Sequence, residues 1–563
     1  MGRPRTPASG IAPSVSTLVA ALMTVAVSTS ALDMDLASLD WRVVVNNGVV
    51  VPGGARSFNS YNQPSVNIDG LVVFRARSRG GAAGEPAHGV FSRHMALGMP
   101  VTTVFDRQTF VSDPNNLGSR FAEPPSFPRI DMWSDTVASR GNHPPTWEYF
   151  GSDQTETRGG TTGIYSNPFW ALITGASNLG VAPGFEFLAV PGTNPPLKFD
   201  VFPGAPAATD TATIVFKGNY TVTDPADPSR SISRTGVYYR DLMNAPAGGT
   251  GPVVALADTT TTIPGSNVRF GAVAPPSAAR RTAVFTGWDN ESSPAVGGIY
   301  LAPLDSPRPP LRTLVRIGDR VPGEGGGTLF RNLGESLAFD GRFVAFWGTW
   351  GSATRALVLQ CPPEGNTDRL EYCRTTYPSG LLTAVPVHQG IFVHDTITGQ
   401  TRVVAKSPDD FADFLYWSFS GMVPGMTGHA EDDGEPARWR SAAFLATSGL
   451  VDDRHTDAAF HVVFKARTGP VVRGAYSDPV DGLYLRTGPG GSRIAALVKT
   501  GTDATLIDPA AIESITGAPL AITDMGVERD GFRGRWLAIT VRMGTGDSGW
   551  AGIYLTEMPD RLH

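Results

Sequence analysis

Cysteine is nearly absent from this chain: Cys361 and Cys373 are the only two among 563 residues. Without histidines nearby to complete a ligand set, they argue against a zinc site. A strong charge of one sign is lacking too. With 46 basic residues against 52 acidic ones and a net charge of −6, the chain builds no field for DNA or RNA, which are set aside as partners. Long hydrophobic runs are missing apart from one short stretch, Leu18 to Val27, broken by Thr24. That stretch is too short and too interrupted for a spanning helix, which needs roughly 20 apolar residues. The common enzyme signatures are absent as well: no G-x-S-x-G elbow, no H-E-x-x-H pair and no Gly-Lys-Ser/Thr phosphate loop.

What is there points to an all-β chain. The 65 glycines and 46 prolines fall between short apolar runs as turn punctuation, with no low-complexity block. Arg3 and Arg5, the apolar stretch and the small residues through Ala31 read as a signal peptide over residues 1–31, with a membrane anchor as the alternative. The expected product is secreted or periplasmic, with no membrane span, and monomeric. In an oxidising compartment Cys361 and Cys373 are expected to pair, which by the chain-entropy model contributes about 3 kcal/mol to ordering one loop.

A Gly-aliphatic-aromatic tripeptide returns seven times: Gly89-Val90-Phe91, Gly163-Ile164-Tyr165, Gly236-Val237-Tyr238, Gly298-Ile299-Tyr300, Gly390-Ile391-Phe392, Gly482-Leu483-Tyr484 and Gly552-Ile553-Tyr554. Around the first copy lie four β-prone runs: Pro64 to Ile68 (A), Leu71 to Arg77 (B), Gly89 to Arg93 (C) and Val101 to Phe105 (D). Asp69-Gly70 between A and B suits a tight hairpin, and the same reading is given to Asp340-Gly341 and Asp530-Gly531. Strand B recurs before every copy, and D after every copy but the last. A Val/Ile-Pro-Gly marker trails D at Val190, Ile263 and Val321.

Units of this kind bury no core alone and must pack on one another. The expected fold is all-β: a seven-bladed β-propeller of four-stranded antiparallel blades over residues 40–557. An open solenoid or two β-sandwiches are the alternatives. The last unit lacks a D strand, while Trp41 to Val45, followed by Val51-Pro52-Gly53, is an orphan with the look of one. This N-terminal strand is expected to complete the last blade and close the ring. The second copy, around Gly163, is the weakest.

The pattern resembles the bacterial tandem-repeat β-propeller proteins whose units carry an N-x-x-G-x-x-A-F core. Asn67 to Phe74 and Phe339 to Phe346 carry the likeness, with departures at Val73 and Phe339. It extends over most of the chain after residue 40, and it implies architecture without an assigned chemistry.

In such a blade the B–C and D–A connections share one face. The fifth B–C connection is the longest, 44 residues against 15 in the first blade, and holds both cysteines. A disulfide-stapled insertion is therefore expected at about 348–388. With the connection from Ser407 to Arg440, it marks this face, around blades five and six, for function. Here Glu431, Asp432, Asp433 and Glu435, beside His429, offer oxygen ligands for calcium, against the simpler reading of a solvated acidic loop without a cofactor. Trp347, Trp350, Tyr416, Trp417 and Trp439 are candidates for stacking on sugar rings, against ordinary packing between blades. Three histidine pairs at a spacing of six, His88/His94, His388/His394 and His455/His461, read as solvent-edge residues. No catalytic residue is assigned. The leading expectation is a non-enzymatic extracellular module for a protein or glycan; a polysaccharide hydrolase or lyase using acids at the channel mouth, and a structural surface component, are the alternatives.

Overall fold

The computed structural model describes residues 32–33, 39–80, 86–243, 251–363, 365–425, 436–449, 459–488, 493–546 and 549–558. The chain is a seven-bladed β-propeller. Each blade is one antiparallel sheet in the order A-B-C-D. Blade 1 comprises a split A strand (Phe58–Tyr61 and Ser65–Val66), B (Leu71–Ser78), C (His88–His94) and D (Thr102–Asp106). The innermost segments, among them Ser65–Val66, Arg129–Ile130, Ala207–Thr209, Ser277–Ala279, Ala338–Phe339, Leu445–Gly449 and Phe532–Arg533, touch in one unbroken cycle around the axis. Blade 7 lacks a late D strand, and Arg42–Asn46 fills that place antiparallel to Trp550–Glu557. Leu32–Asp33 adds to the outer edge of blade 6, parallel to Ile494–Lys499.

The repeated tripeptide has a steric origin. A side chain at Gly236 would place its first carbon 2.5 Å from the Tyr238 hydroxyl and 2.9 Å from the Ala257 carbonyl. The ring two residues on therefore lies back across the glycine, close against strand D. In blades 1, 3, 4, 5 and 6 the ring then joins an aromatic from strand B and one that precedes the inner part of strand A, as in Phe199, Phe216 and Tyr238, with edge-on contacts of 4.9 and 5.9 Å to Phe199. The Pro-Gly marker is a tight turn: Gly54 N donates to Val51 O with Gly53 at φ 71°.

Several local expectations are corrected. Blade 2 is a full blade, with its D strand at Ile173–Ser177 after a C–D turn that holds Phe169 and Trp170. It also carries an extra hairpin, Trp147–Phe150 with Glu156–Gly159. Asp530-Gly531 is not the seventh A–B turn, which falls at Gly534-Arg535 between Phe532–Arg533 and Trp536–Met543. Of the paired histidines, His88, His394 and His461 are buried and not at a solvent edge, while His94 and His388 are half-buried. His394 and His461 pair with the hydroxyls of Thr401 and Thr487, and His455 lies outside the described residues. No helix among the described residues is long and apolar enough to cross a membrane.

Candidate functional site

The B–C and D–A face carries three insertions that pack as one body. The first, from blade 5, is a hairpin (Thr354–Leu359 with Leu381–Pro386) whose tip holds helix α1 (Thr367–Thr376), capped by Asn366 and stapled by the Cys361–Cys373 disulfide. The others are the hairpin Tyr416–Ser420 with Arg438–Ala442, and the short hairpin at Val471–Tyr476. Leu357, Leu359 and Val385 form a small core with Trp417, Trp439 and Tyr476 packed against it. Buried Asp413 ties the pieces together: it accepts from Gln389 Nε2 at 2.8 Å, Arg355 Nη2 at 3.0 Å and the Tyr476 hydroxyl.

These contacts decide where the candidate stacking residues sit. Trp347 and Trp350 are buried and do not face solvent; Trp347 Nε1 donates to Gln389 Oε1, and Trp350 stacks on His388. Tyr416 lies beneath Lys465 and Arg467, at 4.2 and 4.8 Å from its ring centre. Trp417 and Trp439 are engaged in the insertion core. Strand position alone hid this, since both faces of a blade are covered. Glu431, Asp432, Asp433 and Glu435 lie outside the described residues.

A cleft opens on the same face where blades 7, 1 and 2 meet. Its larger part, about 650 Å³, is lined by Asn59, Tyr61, Asp524, Arg542 and Trp550, among others. Ser60, Tyr61, Arg77 and Arg542 continue into a second part of about 250 Å³ that reaches Arg75, His88 and Glu123. Pro363 and Gly365 on the larger part, and Arg369 on the smaller, come from the blade-5 insertion. All three lie inside the ring closed by the disulfide. Five arginines, Arg75, Arg77, Arg79, Arg369 and Arg542, face two carboxylates, Glu123 and Asp524, in the described lining.

Both carboxylates are engaged. Asp524 accepts from Lys465 Nζ at 2.6 Å. Glu123, from the connection between blades 1 and 2, is buried and accepts from both Arg75 Nη2 and His88 Nδ1. Burial pushes its carboxyl up, but the His88 hydrogen bond and the Arg75 charge outweigh this and hold it below the usual carboxylate range. An ionised Glu123 fixes Nδ1 of His88 as the donor, which leaves Nε2 as the acceptor of the neutral ring. Nε2 is buried and has no hydrogen-bond partner in the described structure.

The sequence pointed to this face around blades 5 and 6; the cleft lies on the same face between blades 7, 1 and 2, with the blade-5 insertion along its rim. Arg75 and Arg77 alternate along strand B of blade 1 and so share a side, with Arg79 one residue past its end, a signal legible in the sequence. Glu123 carried none, because it meets His88 only through the fold.

The inner end of the channel is filled by ions. Arg129 pairs with Glu528 at 2.7 Å and Asp530 at 2.5 Å, and Arg533 binds Asp530 while donating to Phe339 O at 3.0 Å. Asp340 sits beside them, and burial raises its pKa. With the Arg533 Nη1 bond to Thr447 O, these contacts join blades 2, 5, 6 and 7.

No family model matches this chain, and no curated protein is similar to it. Solved structures similar to it include an oligogalacturonate lyase in complex with manganese, at 9% identity over 90% of this chain and 97% of that one, with a TM-score of 0.36. A Mycobacterium tuberculosis puromycin-hydrolyzing peptidase is 9% identical over 89% and 61%, with a TM-score of 0.33. A Penicillium chrysogenum α-L-arabinanase complexed with arabinobiose is 9% identical over 79% and 98%, with a TM-score of 0.26. Likeness of this degree bears on no activity.

Proposed function

We propose that the protein is a secreted or periplasmic propeller that binds an acidic glycan in the cleft between blades 7, 1 and 2. One observation carries the reading: five arginines and two engaged carboxylates around a single concave site. Pockets for apolar small molecules are lined mainly by hydrophobic and aromatic side chains. This one presents Asn47, Asn59, Gln63, Thr523 and Thr540 beside only a few aromatic rings, a lining suited to hydroxyl-rich rings carrying negative groups.

The test is retention of acidic and neutral oligosaccharides of matched length by the immobilised protein at rising salt. Saturable retention of the acidic set, weakened by salt and by Arg542→Ala, is expected. Equal retention of neutral sugars, or none of either set, would overturn the reading.

A further inference from the structure

We propose that the cleft is also catalytic, with His88 as the base of a β-elimination that cleaves uronate-bearing glycans. The inference rests on the binding reading and adds chemistry to it. Its starting point is a buried ring nitrogen that, among the described residues lining the smaller part of the cleft, has no partner. The His88 side chain is nine-tenths buried, its Nδ1 is committed to Glu123, and its Nε2 has no partner. A ring nitrogen buried without a hydrogen bond has a cost. His143 avoids that cost by bonding through Nδ1 to Pro144 O and through Nε2 to the Tyr165 hydroxyl, whereas His94, away from the cleft lining, also keeps a buried Nδ1 without a partner, so it is the place of His88 in the lining that sets it apart. His88 instead borders the cleft with Arg75, Arg77, Arg369 and Arg542 around it.

A carboxylate held by such arginines makes the hydrogen on its neighbouring carbon more acidic, because guanidinium groups stabilise the charge that builds as that proton leaves. In a 4-linked uronate the carbon is C5. Nε2 takes the C5 proton, and the C–H electron pair becomes the C4=C5 double bond. The bond from C4 to the glycosidic oxygen breaks, and that oxygen leaves with its electron pair and takes a proton from solvent. His88 returns its proton to solvent, so atoms and charge balance without consuming water. Hydrolysis fits less well. It requires two carboxyl groups flanking the bond, and Glu123 and Asp524 are both tied to cations. Glu123 is a positioning residue that fixes the tautomer.

The experiment incubates the full protein with oligosaccharides of polygalacturonate, alginate and a glucuronate-containing glycosaminoglycan. Products are read by ultraviolet absorbance of the new double bond and by mass. Elimination gives fragments whose masses sum to the parent, whereas hydrolysis adds one water. Wild type is expected to form unsaturated product from at least one of the three. His88→Gln and His88→Asn are both made, and the assay uses whichever melts as wild type. That variant is expected to lose about 100-fold or more in rate while still retaining the oligosaccharide. Glu123→Gln is expected to shift the pH-rate profile, which a merely structural role would leave in place. Retention without unsaturated product from any of the three, or products carrying added water, overturns the catalytic proposal and leaves the binding reading standing. Absence of retention overturns both.

Discussion

Arg129 Nη1 lies 2.5 Å from Asp530 Oδ2, an ion pair that joins blade 2 to blade 7 at the propeller axis, with both side chains buried. Burial pushes the Asp530 carboxyl up, yet the charges of Arg129 and Arg533 outweigh this and hold it below the usual range. A carboxyl with a depressed pKa in the folded state contributes stability above its unfolded value, near 3.9, and loses it as pH falls through the folded one. Arg129→Met leaves Asp530 and Glu528 short of a cation, so a loss of about 3–5 kcal/mol is expected by urea unfolding at pH 7. A loss below about 1 kcal/mol would show that the cluster does not hold the blades.

Ring closure has its own polar knot. Asp508, in the connection from blade 6 to blade 7, accepts from Asn46 Nδ2 at 2.8 Å, Trp550 Nε1 at 2.8 Å and the Tyr554 hydroxyl at 2.9 Å. Asp508→Ala strands three donors at the seam, and a loss of about 2–4 kcal/mol is expected. Faster proteolysis at the N-terminal strand should accompany it; an unchanged cleavage rate there would contradict this account of the seam.

Acid should destabilise the protein through its histidines. Burial lowers the pKa of His143, His394 and His461 to about 4. Their folded values lie below the unfolded one near 6.5, so the unfolded chain takes up protons first and stability falls as pH drops from about 6.5 toward 4. Each contributes roughly 3 kcal/mol of that loss when fully expressed. His461→Gln should flatten the melting temperature profile in this window, and an unaltered slope would argue against it.

Reduction of the disulfide is expected to act on the cleft more than on the fold. Cys361 and Cys373 enclose Pro363, Gly365 and Arg369, while the blades pack without them. In the Cys361→Ala/Cys373→Ala double variant, glycan retention should weaken while the main thermal transition moves by only a few degrees. Loss of the whole transition would mean that the staple supports the propeller itself.

The fold was legible because its signals are local and repeated. The glycine of each strand C answers to a ring two residues away, and the missing last strand answers to an orphan first one, so both could be read without a partner in view. The cleft was not legible in the same way. His88 resembles any histidine at a strand end until Glu123, 35 residues on, is brought against it, and Arg369 reaches the site from blade 5. Trp347 and Trp350 misled because strand periodicity assumes one wet face, and a blade has none. Asp530-Gly531 misled for a related reason: a turn dipeptide and a buried anion look alike in sequence.

The strand Arg42–Asn46 is made early and its partner Trp550–Glu557 late. At about 5–20 residues per second, the chain from Asn46 to its pairing partner Gly552, 506 positions on (552 minus 46), takes roughly 25 to 100 seconds to synthesise. Throughout that interval blade 7 has no edge to offer, and the waiting strand is a site where a chaperone can hold the chain or a second copy can exchange with it.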